Sequence, residues 1–128
     1  MKVLLDTCTF LWVLSGDPKL SPRATDMFRA ADHEIFLSAA SAWEIAVKYS
    51  ARKLELPERP DRFVPAMREE RGIVALPIDE ESALHASRLA LVHRDPFDRL
   101  LVGQAIVHGM TILTPDAIIS QYPARTMW

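Results

Sequence analysis

The chain has 128 residues, 49% hydrophobic and 25% charged, with a formal net charge of −2 and a pI near 6.1. That length suits one domain, residues 1–128, and the charge balance argues against a simple basic nucleic-acid module. A lone cysteine, Cys8, rules out a disulfide framework or a thiolate metal site. The chain also has no apolar run long enough for a signal-peptide core or a membrane span, so a cytoplasmic protein with no membrane partner is expected.

Two periodicities alternate along the chain. Residues 2–5, 34–38, 73–78 and 111–114 are short, nearly continuous apolar runs, the pattern of strands buried on both faces, and residues 125–128 form a fifth, less apolar candidate. Helical spacing is expected over 9–14 (ended by Gly16-Asp17-Pro18), 22–31, 42–54, 62–71, 82–92 and 96–108, the last closed by Gly109. Strands alternating with helices predict an α/β fold on a mainly parallel sheet. The helices at 42–54 and 62–71 are expected to form a projecting hairpin.

Four acids stand where an apolar run gives way to a helix start. Asp6 ends the first strand, Glu44 opens the helix after the second, and Asp116 follows the fourth; Asp98 lies in the first turn of the helix before that strand. In a parallel sheet the carboxyl ends of all strands share one edge, where ligands bind at the reversal of strand order. All four acids should therefore meet on one rim. Each has a plain local explanation: Ser41-Ala-Trp-Glu44 matches a capping box, Asp95-Pro96 a helix start, and Asp6 and Asp116 suit helix caps. Capping accounts for each acid singly but does not require a shared edge.

Two carboxylates about 5 Å apart repel by roughly 3 kcal/mol at an effective dielectric near 20. The pairs among four would rival the roughly 5–15 kcal/mol that stabilises a domain, so such a cluster must take up protons or bind a cation. Oxygen ligands without cysteine or clustered histidine favour Mg²⁺ or Mn²⁺. Asp79, after the third strand, and Asp95, three residues before Asp98, compete for places in the cluster. Lys48, one turn beyond Glu44, and Arg99, beside Asp98, are the candidate phosphate contacts; for Lys48 an i,i+4 pair with Glu44 is an equal alternative. His93 and Arg94 read as solvated loop residues near that substrate. Trp12, Trp43, Phe97 and Trp128 are expected to pack in the core.

The blocks Val3-Leu-Leu-Asp6-Thr7, Ser38-Ala-Ala-Ser-Ala-Trp-Glu44-Ile, His93-Arg-Asp-Pro-Phe-Asp98-Arg-Leu-Leu and Ile112-Leu-Thr-Pro-Asp116 resemble the PIN-domain ribonucleases, and within them the VapC toxins of bacterial toxin–antitoxin pairs. The resemblance covers nearly the whole chain. It implies a three-layer α/β/α fold with a five-stranded sheet in the order 3-2-1-4-5, which carries Asp79 away from the site. It also implies Mg²⁺- or Mn²⁺-dependent cleavage of RNA at Asp6, Glu44, Asp98 and Asp116, leaving a 5′-phosphate and a 3′-hydroxyl. Asp6 and Asp98 would be direct ligands and Glu44 and Asp116 outer ones, with Asp95 as a substitute for Asp98. Thr7 and Thr114 would be supporting hydroxyls. A VapB-like antitoxin is the implied partner, meeting the hairpin of residues 42–71, and homodimers are common in such families.

Rival readings come from other classes. A receiver-type phosphoacceptor would want paired acids after the first strand and a lysine after the last; Thr7-Cys8 follows Asp6, and no lysine follows Lys53. A haloacid-dehalogenase-like phosphatase would want aspartate where Cys8 stands. A non-catalytic module that binds protein or RNA around a structural cation stays open.

Overall fold

In the computed structural model, which describes residues 1–91 and 95–128, the run Val3-Leu4-Leu5 has no solvent exposure at any of its three side chains. It forms β1 (Lys2–Leu5), flanked by β2 (Glu34–Ser38) on one side and β4 (Thr111–Leu113) on the other. The outer positions go to β3 (Val74–Leu76) beside β2 and β5 (Arg125–Met127) beside β4, and every pairing is parallel. The resulting order, β3-β2-β1-β4-β5, is the expected one and differs from the 2-1-3-4-5 order of receiver-type domains.

Alternation along the strands divides the core into two layers. Leu4 and Ile112 pack with Leu101, Val102 and Ala105 on one side. Val3, Leu5 and Leu113 pack with Phe10, Ala24, Ile45 and Val64 on the other. Continuous apolar runs are what a strand covered on both faces requires.

Six helices flank the sheet among the described residues: α1 (Thr7–Ser15), α2 (Pro22–Arg29), α3 (Ala39–Ser50), α4 (Pro60–Glu70), α5 (Glu80–Ser87) and α6 (Pro96–His108). A 3₁₀ turn, Ile119–Gln121, precedes β5. The bounds of α6 coincide with the sequence expectation because both ends are marked. Asp95 accepts the Phe97 N–H at 2.9 Å with Pro96 in the first turn, and Gly109 closes the helix at a φ of 65°.

Several expectations are corrected. The third strand is shorter than residues 73–78 and is not buried on both faces: β3 is an edge strand, and Val74 is 46% exposed. The third helix begins at Ala39, because the Ser38 hydroxyl, not that of Ser41, accepts an N–H of the first turn (Ala40, 3.0 Å). No Ser41–Glu44 capping box forms. Ser41 is instead fully buried, its hydroxyl without a hydrogen-bond partner among the described residues. Finally, α3 and α4 do not simply project, since Val64 of α4 is buried against the sheet core. The helix expected over 82–92 starts at Glu80, behind an Asp79 cap; its expected end at Val92, together with His93 and Arg94, lies outside the described residues.

Buried Gln104 of α6 joins two strand ends. Its amide oxygen accepts the Ser38 hydroxyl at 2.5 Å, and its amide nitrogen donates to the Pro77 carbonyl at 3.0 Å. The same Ser38 hydroxyl caps α3, so one polar bridge sets the helix carrying Glu44 against the helix carrying Asp98.

Candidate functional site

At the carboxyl end of β1 the chain turns directly into α1, and Asp6 caps that helix. One carboxylate oxygen accepts the Thr9 N–H at 2.9 Å and the Cys8 thiol at 3.3 Å, while the other accepts the Thr114 hydroxyl. Thr114 follows β4, the neighbouring strand, and its oxygen also accepts the Asp116 N–H at 3.0 Å. One hydroxyl therefore supports both Asp6 and Asp116, across the place where strand order reverses. Asp116 in turn takes the Ile118 N–H at 2.8 Å.

Glu44 lies in the second turn of α3 and is only 4% exposed. One of its oxygens accepts the Thr7 hydroxyl at 2.5 Å, and the other holds the Lys48 ammonium at 2.6 Å. Because Thr7 follows Asp6, the two acids are linked through adjacent residues. Asp98, in the first turn of α6, and Asp95, its cap, approach from the third side.

These acids line one cavity of about 370 Å³: Asp6, Glu44, Asp95, Asp98 and Asp116 share it with Lys48 and Lys53, and Thr7, Cys8, Leu11 and Leu54 complete the wall. Burial, then the charge and hydrogen bond of Asp6, then the charge of Asp98, push the Cys8 thiol up to about 12. These effects favour the neutral thiol over the thiolate. The Lys48 ammonium is held above its ordinary value, first by its hydrogen bond to Glu44 and further by the charges of Glu44, Asp95 and Asp98, against opposing desolvation.

The donor set fits a hard divalent ion, being all carboxylate oxygen, with helix starts at Asp6, Asp95 and Asp98 that favour negative charge. It is an open set. Among the described residues no three such side chains converge closely enough to hold a metal ion as they stand.

Arg99 has another task than the one expected of it. Its guanidinium donates to the carbonyls of Ala86 at 3.0 Å, Leu89 at 3.2 Å and Ala90 at 3.3 Å, closing the end of α5. Arg99 does not line the cavity; Lys53, just past the end of α3, does. The turn that carries Lys53 past α3 has Arg52 at a φ of 58°, a left-handed position usually given to glycine, so no composition signal marks it. Asp79 is remote as the strand order requires, bound to Ser82 and to His108 at 2.9 Å. Trp43 is not a core residue, being 64% exposed on α3. Phe97 is half-buried, as are Trp12 and Trp128, which meet edge to face with ring centres 5.8 Å apart.

Comparison with known proteins gives a consistent picture. The family model described as PIN domain matches residues 3–124. Over 72 residues the chain is 38% identical to ribonuclease VapC16 of Mycobacterium tuberculosis, a match covering 53% of this chain and 51% of that protein. The chain thus spans about half the length of this curated relative. Among solved structures, VapBC2 from Rickettsia felis bound to a promoter DNA fragment superposes with a TM-score of 0.73 at 14% identity, covering 99% of this chain and 98% of that one. DNA-bound VapBC from Salmonella typhimurium gives 0.69 at 21% identity, covering 99% and 97%. FitAcB from Neisseria gonorrhoeae gives 0.63 at 19%, covering 98% and 96%.

Proposed function

Because the chain belongs to the PIN-domain family, we propose that it is a divalent-cation-dependent endoribonuclease, the toxin of a toxin–antitoxin pair. The observation that carries this reading is the gathering of five carboxylates, from four separate segments, on one cavity at the carboxyl edge of a parallel sheet. The 38% identity to a protein named as a ribonuclease supports it.

When bound, Mg²⁺ or Mn²⁺ would polarise the scissile phosphate and acidify a water. Asp6 and Asp98 are the direct ligands in this reading, with Glu44 and Asp116 beyond them. Thr114 holds Asp6 and the start of the Asp116 loop in register, and Thr7 does the same for Glu44. The ammonium groups of Lys48 and Lys53 bring positive charge to the wall of an otherwise acidic cavity, where a phosphodiester must approach. The nucleophile in this reading is water, which the bound ion would acidify.

The antitoxin would be VapB-like, meeting the α3–α4 hairpin, where the exposed Trp43 and Val47 lie one turn apart on α3. The expected assembly is a homodimer, and the expected location is the cytoplasm. No helix among the described residues is long and apolar enough to cross a membrane.

A non-catalytic module is the second reading, favoured by the lack of a converged donor group among the described residues. The two separate in a cleavage assay on antitoxin-free protein with Mg²⁺, Mn²⁺ or a chelator. Cleavage should require the ion and disappear in Asp6→Asn and Asp98→Asn while both variants stay folded. Undiminished cleavage by both variants discards this mechanism, and metal binding without cleavage of any RNA favours the module.

A further inference from the structure

Glu44 is nearly buried, yet it already has a positive partner. The Lys48 ammonium sits 2.6 Å from one carboxylate oxygen, and the other oxygen is taken by Thr7. Lys48 reaches Glu44 from one turn further along α3 and is half exposed, so its head can leave without disturbing the helix. Its ammonium also feels Asp95 and Asp98, the acids across the same cavity. In a cavity lined by five carboxylates, a tethered ammonium beside the nearly buried Glu44 offsets part of their mutual repulsion.

We propose that Lys48 is a built-in counter-ion for Glu44, which a divalent cation must displace before Glu44 can serve it. This rests on the metal-dependent reading above and adds a competition to it. The same exchange has a second consequence. Once released, the ammonium stays on the cavity wall, within the cavity that would receive the phosphodiester, so loading the ion makes a phosphate contact available. Lys53 lines the cavity too, but no ion pair of its side chain is seen among the described residues. It serves as the control for a general change in charge.

The test is Mn²⁺ titration of the purified protein without RNA, with free Mn²⁺ read by electron paramagnetic resonance at fixed pH and ionic strength. Lys48→Met should bind Mn²⁺ about tenfold more tightly than wild type, the scale of a charge-assisted hydrogen bond released. Lys53→Met should tighten it far less. Lys48→Gln, which keeps a neutral donor toward Glu44 and guards against misfolding of the Met variant, should follow Lys48→Met. Lys48→Arg, which keeps the charge, should not. In a Glu44→Gln background the Lys48→Met effect should shrink to that of Lys53→Met. If Lys48→Met and Lys48→Gln bind Mn²⁺ no better than Lys53→Met, the competition is overturned while the metal-dependent reading stands on the binding itself. If no variant, wild type included, binds Mn²⁺, both fall together.

Discussion

The Thr114 hydroxyl donates to the Asp6 carboxylate across the ends of two adjacent parallel strands, joining residues 108 positions apart in sequence. The same oxygen accepts the Asp116 N–H. Thr114 is 4% exposed, so neither bond is readily replaced by water. Thr114→Val keeps the shape and removes both bonds. It should cost about 1–3 kcal/mol in urea unfolding and weaken Mn²⁺ binding, whereas Thr114→Ser should retain most of both. A valine variant with unchanged metal affinity would show that the hydroxyl does not organise the acids.

Asp95 and Asp98 line the same cavity, but Asp95 has the additional work of capping α6. Asparagine caps a helix about as well as aspartate. Asp95→Asn should therefore leave stability unchanged and reduce cleavage less than Asp98→Asn, which should abolish it. Equal losses of Mn²⁺ affinity in the two variants would refute this division of roles.

Arg99 separates a structural contact from a substrate contact. With its guanidinium on three carbonyls at the end of α5, Arg99→Lys should lose about 1–3 kcal/mol in chemical denaturation, since a single ammonium nitrogen cannot span acceptors that the guanidinium reaches from two. The opposite pattern, full stability with a raised KM for RNA, would return Arg99 to the role of a phosphate contact.

Gly103 marks the closest approach of α6 to α5. A β-carbon there would lie 2.7 Å from the Ser82 carbonyl oxygen and 3.0 Å from the Ala86 side chain. Gly103→Ala gains about 1 kcal/mol in helix propensity, but forcing the helices apart costs about 1–3 kcal/mol. A net loss is expected in thermal unfolding; a more stable alanine variant would show that the pair separates freely.

The Asp79 carboxyl is held well below its ordinary value of 3.8, first by the Ser82 hydroxyl and then by His108. A depressed acid contributes stability that is present above its unfolded value and lost as pH falls through the folded one. The stability gap between wild type and Asp79→Asn should then close progressively as pH falls below about 4. Urea midpoints measured from about pH 5 downward check the sign, and a gap that widens over that acid range contradicts it.

Much of this fold is written locally. Val3-Leu4-Leu5 and Ile35-Phe36-Leu37 are read as buried strands because short apolar runs with polar residues on either side suit a strand covered on both faces. The ends of α6 are legible because Asp95-Pro96 before and Gly109 after a run of helical spacing mark a helix start and a helix stop. Other features needed the tertiary structure. Ser38 and Ser41 are equivalent as local caps, and the choice between them depends on which hydroxyl reaches Ala40 and Gln104. The exposure of Trp43, the direction of Arg99 and the entry of Lys53 into the cavity depend on neighbours far away in the chain. The sequence by itself supplied the acids and the segments that carry them. Only the order β3-β2-β1-β4-β5 decided that Asp6, Glu44, Asp98 and Asp116 share a wall while Asp79 does not, because pairing between distant strands, unlike helix capping, is set by the packing of the whole sheet.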